Sequence, residues 1–367
     1  MANSQKRKEE IIKNVFFNPK HAGSFGGVMT VYREVKKRDP TITLREVKDF
    51  LSGQNTYTLH KPLRKKFPRN KVVVQDVDKQ WMADLADMTT HQKANDGFKY
   101  ILTIIDVFSK YAWAYPLKTK TPRAVKEVFE KIFQERKPDA VQTDQGTEFN
   151  NKTFKKFLTD NNVSYFTSTN PTYKCSIVER FNRTLKTKMF KYFTSKQSRR
   201  YVDTLSDLVA SYNKTYHRSI KMTPSEALAA PRDVVFKNLY GFRNFREYLK
   251  SQSMKKAKLK KGDFVRMAYT LGPLEKGFYP TWTDAVGNVS SIIKKPIPIY
   301  TLKDYLGNPI KRRFYGADLQ RIKEPLYRVE KELKKRTRKG VKEVLVKFVG
   351  YSSRHNAWIP EKNLFPY

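Results

Sequence analysis

The chain is poor in cysteine, histidine and acid, and each shortage closes off a class of function. A single cysteine, Cys175, excludes an intrachain disulfide and any cysteine-based zinc site. The five histidines (His21, His60, His91, His217 and His355) are scattered, with no pair at helical or finger spacing, so no zinc is expected. No apolar run reaches the roughly 18 residues of a membrane span, and the opening MANSQKRKEEIIKN lacks the apolar segment of a secretory signal. A soluble, intracellular protein with no membrane partner is the expectation. Internal repeats and long low-complexity tracts are also missing.

Positive charge is what the chain has in excess. Lysine and arginine number 74 against 35 aspartate and glutamate, a formal net charge of +39 on 367 residues. Such a charge is either neutralised by a polyanion or endured as self-repulsion, and nucleic acid is the partner it points to. A basic surface that serves only solubility is the plainer alternative. With 39% hydrophobic and 13% aromatic residues the chain reads as folded, and its length suggests two or three domains.

Four segments follow from periodicity and punctuation. Residues 1–70 read as a small helical domain with a basic linker from His60 to Pro68. Val28 to Lys37 forms one helix and Asp39-Pro40 breaks it; a second opens at Thr43, whose capping box with Glu46 marks its start, and Gly53 stops it. This pair is either a helix-turn-helix or a plain packing bundle. Residues 71–250 alternate strand and helix: Trp81–Met88, Tyr100–Ser109 and Tyr111–Leu117 as an antiparallel meander, a helix from Thr121-Pro122, a strand over Ala140–Thr143, a helix over Thr153–Leu158, a strand over Val163–Thr167 and a long helix from about Ser176. That is the order of an RNase H-like α/β fold. Residues 251–325, with short strands at Gly262–Arg266, Ile299–Leu302 and Phe314-Tyr315, suggest a small β-barrel, and 326–367 a further β-rich unit.

Three carboxylates stand where chemistry is expected. Asp84 lies mid-strand among apolar neighbours, where an acid is costly unless a cation pairs with it. Asp144 ends a strand, where ligands collect in α/β sheets. Glu179 falls in the first turn of the long helix, with 34 residues between it and Asp144. An all-carboxylate set suits an oxygen-liking ion such as Mg²⁺. On spacing alone the neighbouring acids Asp87, Asp106 and Glu148 stay open as members of the site, as caps or as ion-pair partners.

The stretch from Trp81 to His217 resembles the catalytic core of retroviral and transposon integrases, the DDE class. The matching residues are Trp81-x-x-Asp84, Ile105-Asp106-x-Phe108-Ser109-Lys110, Thr143-Asp144-x-Gly146-x-Glu148-Phe149, the run Ser176 to Lys186, Tyr212-Asn213 through His217-x-Ser219-Ile220, and Thr223-Pro224-Ser225-Glu226. The resemblance implies a triad of Asp84, Asp144 and Glu179 holding two Mg²⁺ or Mn²⁺ ions, with Asp106 and Glu148 in support. It implies 3′-end processing and strand transfer of element DNA ends into target double-stranded DNA by in-line transesterification, with no covalent enzyme intermediate. Cys175 is then a packing residue. Arg183 and Lys186 lie four and seven residues beyond Glu179, on the same helix face, and the resemblance makes them contacts for the terminal DNA, with Lys174 and Arg180 as weaker candidates. A homo-oligomer (tetramer or higher) in the host nucleus, or carried in a virus-like particle, is also implied.

The flanking segments extend the resemblance. Lys258 to Ile322 resembles the SH3-like barrel that follows retroelement integrase cores, and the zinc bundle that usually precedes them is absent. Residues 326–367 resemble a chromodomain, in which Tyr327, Phe348 and Tyr351 take the positions of the methyl-lysine cage. Here Phe348 replaces the usual Trp, His355 stands where an acid often lies, and Trp358 is expected in the core. The segment is net basic, which opposes a lysine-rich histone tail, and a protein- or DNA-contacting module is the other reading. The whole arrangement resembles integrases of Maverick/Polinton elements and virophages, with chromodomain-bearing Ty3/Gypsy integrases as the near alternative. Two other functions remain open: an RNase H nuclease, and a domesticated integrase that binds DNA or chromatin without catalysis.

Overall fold

Polar, apolar and capping residues divide this chain into two compact units, one continuous (Lys71–Ser253) and one built from Met1–Asn70 together with Met254–Tyr367. The structure is a computed structural model and describes residues 2–64, 66–167, 175–269, 278–323, 325 and 327–364. Among the described residues no helix is long and apolar enough to cross a membrane.

The first segment forms four helices, α1 (Ala2–Phe17), α2 (Val28–Lys36), α3 (Leu44–Ser52) and α4 (Asn55–Leu59). The capping box at α3 forms as read: the Thr43 hydroxyl accepts from the Glu46 amide, the Glu46 carboxylate accepts from the Thr43 amide, and Gly53 is the C-cap. Ile12, Val15, Phe16, Val31, Val35, Val47 and Leu51 are buried together. Helix α1 was not expected, because eight of its first ten residues after Met1 are polar or charged and the apolar stripe begins only at Ile11.

The continuous unit holds a five-stranded sheet of order β3-β2-β1-β4-β5, from β1 (Trp81–Asp87), β2 (Tyr100–Asp106), β3 (Ala112–Leu117), β4 (Ala140–Thr143) and β5 (Ser164–Thr167). The first three strands are antiparallel; β4 runs parallel to β1, and β5 parallel to β4. This is the RNase H-like order. Helices α5 (Pro122–Phe133) and α6 (Lys152–Asp160) cover one face, with Thr121 and Asn151 as N-caps. Helices α7 (Ser176–Lys196), α8 (Leu205–Asn213), α9 (Pro224–Ala229) and α10 (Arg232–Tyr240) contribute to the other core, and α11 (Phe245–Ser251) packs beside it. Strand parity decides which side chain meets which layer. Trp81 and Ala83 face α5 and α6, whereas Met82 and Ala86 face α7.

Several of the sequence motifs prove architectural. Asp106, fully buried, folds the β2–β3 turn by accepting from the Phe108 and Ser109 amides, while its other oxygen accepts from the Asp78 amide. The expected strand Tyr100–Ser109 therefore stops at Asp106. Lys110 is buried in the left-handed region (φ 62°), its ammonium donating to the Val107 carbonyl. Asn213 pairs its amide with both backbone groups of Ala112, 2.9 Å each.

The second part of the discontinuous unit is an antiparallel sheet of order β10-β6-β7-β8-β9, built from β6 (Phe264–Ala268), β7 (Trp282–Ile293), β8 (Ile299–Lys303), β9 (Pro309–Tyr315) and β10 (Leu319–Arg321). A three-stranded sheet follows, with β11 (Val329–Arg338), β12 (Val341–Phe348) and β13 (Ala357–Pro360) in that order. The long strand β7 was not anticipated, since Gly287, Asn288, Ser290 and Ser291 interrupt its apolar pattern. Arg266 ties this part to the helices: it is 1% exposed and donates to Thr58 Oγ1, Asn55 Oδ1 and the Thr283 and Asp284 carbonyls. The segment read as a basic linker is likewise held, the Lys61 carbonyl accepting from Trp282 Nε1 at 2.7 Å.

Candidate active site

Asp84 shares the parity of Met82 and Ala86 and so faces α7. Its strand partner, Thr103, is on the same side and donates to the Asp84 carbonyl at 3.1 Å. Parallel pairing of Trp81 with Val141 and Met82 with Gln142 continues, at the same offset, to bring Asp144 level with Asp84 just beyond the end of β4. From α7 comes Glu179, in the first turn and exposed, on the border of the stripe Val178, Phe181, Leu185 and Met189 that buries the helix against the sheet. Two strands and one helix thus direct the three acids toward one region.

Electrostatics records that convergence. The Asp84 carboxyl is pushed up to about 6 by burial first, then by the charges of Asp144 and Glu179. Hydrogen bonds from the Leu85 amide at 2.9 Å and from Asn182 Nδ2 at 2.8 Å act in the opposite sense. Asp144 is held by the Gly146 amide at 2.9 Å. The Glu148 carboxylate lies over Gly146, where an added Cβ would meet Oε1 at 2.5 Å, so the glycine makes room for that acid. Beside them, Tyr165 Oη lies 3.0 Å from Thr143 Oγ1, and burial together with Asp144 and Glu148 pushes its phenol up. Among the described residues no three acid, histidine or thiol side chains approach closely enough to form a ready-made metal cage.

Of the other expected site residues, Arg183 and Lys186 lie on the Glu179 side of α7 and, with Thr187, Phe190, Lys191 and Thr194, line a groove along the helix. Lys186 reaches back to the Asp87 carbonyl at 3.4 Å. Arg180 is exposed one residue after Glu179 and outside that groove. Lys174 lies outside the described residues. Asp87 is a local cap, accepting from the Thr89 amide. Cys175 is buried in the core as a packing residue. Asn182 and Tyr165 were overlooked as site residues. Asn182 had a legible signal, three residues after Glu179 on the same face; Tyr165 had none, since only the β4–β5 register places it there.

The three chromodomain aromatics do converge. Ring centroids are 5.6 Å apart for Tyr327 and Phe348, 5.9 Å for Tyr327 and Tyr351, and 6.4 Å for Phe348 and Tyr351. Tyr305, from the turn between β8 and β9, packs on Tyr327 and Tyr351 at 5.7 and 5.6 Å. Phe348 and Tyr351 are only 8% and 9% exposed, and Tyr351 Oη accepts from the Val286 amide. Trp358, expected in the core, is instead half-buried on the outer face under the Arg336 guanidinium, 4.0 Å from its ring. Leu345, opposite it in the ladder, shares this face, while Val344 and Val346 point to the core.

Comparison with known proteins gives two domain matches, an integrase core domain over residues 77–175 and a chromodomain over residues 327–367. A transposon-derived protein of Caenorhabditis elegans is 35% identical over 201 residues, 54% of this chain and 65% of that protein. The Pro-Pol polyprotein of feline foamy virus is 24% identical over 189 residues, 50% of this chain and 16% of the polyprotein. A chain of the simian T-cell lymphotropic virus intasome, solved with the PP2A regulatory subunit B56 gamma, shares the fold with a TM-score of 0.57 at 16% identity, over 82% of this chain and 97% of that one. The chain thus spans 65% of the nematode relative and less of the viral one. It carries an integrase core domain, with the integrase core fold, and a C-terminal chromodomain.

Proposed function

We propose that this chain is a DDE polynucleotidyl transferase that processes the 3′ ends of element DNA and joins them to target DNA, with Asp84, Asp144 and Glu179 as metal ligands. The observation that carries the reading is the arrangement of the acids, Asp84 on β1 and Asp144 at the end of β4 at one parallel offset and Glu179 in the first turn of α7. The upward push on the Asp84 carboxyl by burial and by the other two acids agrees with it. Three carboxylates that repel one another form a site relieved by divalent cations, and their all-oxygen donor set fits Mg²⁺ or Mn²⁺. Two such ions, when bound, would activate the attacking hydroxyl or water and stabilise the leaving 3′-oxygen.

The chain's own residues do the positioning. Asn182 orients Asp84, the Gly146 amide orients Asp144, and Glu179 on its exposed helical turn is free to adjust. Arg183 and Lys186 offer charge to the phosphates of a DNA end, with Arg180 and Lys174 as further contacts. The N-terminal helices and an SH3-like second sheet serve as DNA- or subunit-contacting modules in a homo-oligomer, tetramer or higher, acting in the host nucleus. The lack of a zinc motif and the Val178 to Lys186 run support the Maverick/Polinton type over Ty3/Gypsy.

Strand transfer assayed with candidate element ends and Mg²⁺ or Mn²⁺ tests the proposal. Asp144→Asn should lower joining by about 100-fold or more, since a single preorganised group at a transferring centre is worth on the order of 3 kcal/mol, and should leave DNA binding intact. Undiminished metal-dependent joining in that variant sinks the triad. Failure of the wild-type chain to join any ends, with binding intact, favours the non-catalytic reading.

A further inference from the structure

We infer that the tip of the β11–β12 hairpin is a docking surface for the phosphate backbone of a nucleic-acid duplex, and that the chromodomain serves to hold this tip in place. Between Val329 and Phe348 the sequence places eight lysines and arginines against three glutamates. Each glutamate is already paired, Glu330 with Lys347, Glu332 with Lys335 and Glu343 with Arg336. Lys331, Lys334, Arg338, Lys339 and Lys342 are exposed and have no ion-pair partner among the described residues. Val329 at the start of β11 packs against the core, but none of the ten residues of the strand is buried, and eight of them are exposed.

Geometry makes the charge usable. Strand β13 pairs with β12 only from Glu343 to Val346, so residues 337–342 stand beyond it as a two-stranded ribbon. Lys339 and Gly340 both have positive φ (47° and 75°), which gives the tight twisted turn of a hairpin but with a lysine where Asn or Gly would be less strained. Lys334, Arg336 and Arg338 alternate on one face, and Arg336 is stacked on Trp358 of the same face. A twisted two-stranded ribbon fits the major groove of a duplex, and basic side chains along it meet phosphates.

The same unit is poorly arranged for a methylated lysine. Tyr327 and Tyr351 lie against Tyr305, and the hydroxyl of Tyr305 donates to the His355 carbonyl. His355 Nε2 lies 3.1 Å from Asp304, and Arg328 pairs with Asp284 at 2.7 Å. Two of the three aromatic residues that would enclose an ammonium, Tyr327 and Tyr351, are thus engaged with the preceding sheet. The basic tip also repels a lysine-rich tail.

Binding of a random 30-base-pair duplex to the full chain, followed by fluorescence anisotropy across a salt series without divalent ions, tests this independently of the chemistry proposed for the core. Arg338→Glu/Lys339→Glu/Lys342→Glu should weaken binding by about 10-fold or more and make the salt slope shallower by about 2.7, at about 0.9 per phosphate contact. Lys137→Glu/Lys152→Glu/Lys156→Glu, with the same change in net charge on exposed residues of the core, should have a much smaller effect. Equal losses in the two variants, or none in the first, overturn the inference. So does selective binding of a trimethyl-lysine peptide, abolished by Tyr351→Ala, in a chain whose DNA affinity the tip variant does not change.

Discussion

The amide nitrogen of Asn182 donates to the Asp84 carboxylate across 2.8 Å, while the oxygen of the same amide is buried without a partner among the described residues. One turn of α7 therefore carries both Glu179 and the group that holds the Asp84 carboxylate in place. Asn182→Ala removes a hydrogen bond to a charged acceptor, worth about 1.5–3 kcal/mol. Strand transfer should fall about 10- to 100-fold at neutral pH, and the acid limb of its pH profile should move to higher pH, because a donor that favours the ionised carboxyl is gone. An unmoved pH profile with a large loss of thermal stability would reduce Asn182 to a packing residue.

Metal-free protein should become less stable as pH rises through the Asp84 transition. A carboxyl whose folded-state pKa lies above its unfolded value favours folding in its protonated form; the difference is absent below about 4 and complete above about 6. The cost is at most about 3 kcal/mol, at 1.36 kcal/mol per unit. Asp84→Asn should accordingly raise the melting temperature of metal-free protein at pH 7.5 and make little difference at pH 4. Mg²⁺ should stabilise the wild type at pH 7.5 and not this variant. Equal melting temperatures for the two proteins at pH 7.5 would mean that neither burial nor the other acids raise the Asp84 carboxyl.

Arg183 and Lys186 should act on the element end and not on folding. Arg183→Ala/Lys186→Ala should reduce affinity for a terminal duplex and make its salt slope shallower by about 1.8, at about 0.9 per contact. Circular dichroism and thermal melting should be close to wild type, since both side chains lie outside the buried stripe of α7. An unchanged slope would assign the groove along α7 to something other than phosphate.

Arg266→Met keeps volume but takes this donor away from the Thr283 and Asp284 carbonyls. Unsatisfied buried groups cost about 1–3 kcal/mol each, so a loss of about 3 kcal/mol is expected. In a unit of this size that corresponds to roughly 6–12 °C. Calorimetry should show the loss in the transition of the discontinuous unit, with the transition of Lys71–Ser253 unchanged. Arg266→Lys should rescue little, because one ammonium cannot reach all four acceptors.

The core was legible because its rules are local. Alternation gave β1 to β3, Thr121 and Pro122 marked α5, and the 3.6-residue stripe gave α7, so Asp84, Asp144 and Glu179 could be put on their elements before any contact was known. Positions that depend on packing between distant segments were not legible. Tyr165 joins the site through a parallel register, Arg266 finds its acceptors in residues 208 and 211 positions away, and Tyr305 reaches the chromodomain rings from another sheet. Trp358 was misassigned because an Arg-capped aromatic on an outer face has the same sequence signature as a core aromatic.

The bond between Arg266 and Thr58 also has a timetable. At about 5–20 residues per second of synthesis, the 208 positions between them separate their emergence from the ribosome by about 10–40 s. In that interval the Thr58 hydroxyl has the nearby Gln54 carbonyl as its partner, 2.9 Å away. The cluster of Ile12, Val15, Phe16, Val31, Val35, Val47 and Leu51 lets the early helices shelter their own apolar surface meanwhile. The intervening 183 residues, Lys71–Ser253, can fold during the wait, and their folding shortens the loop that the final joint must close.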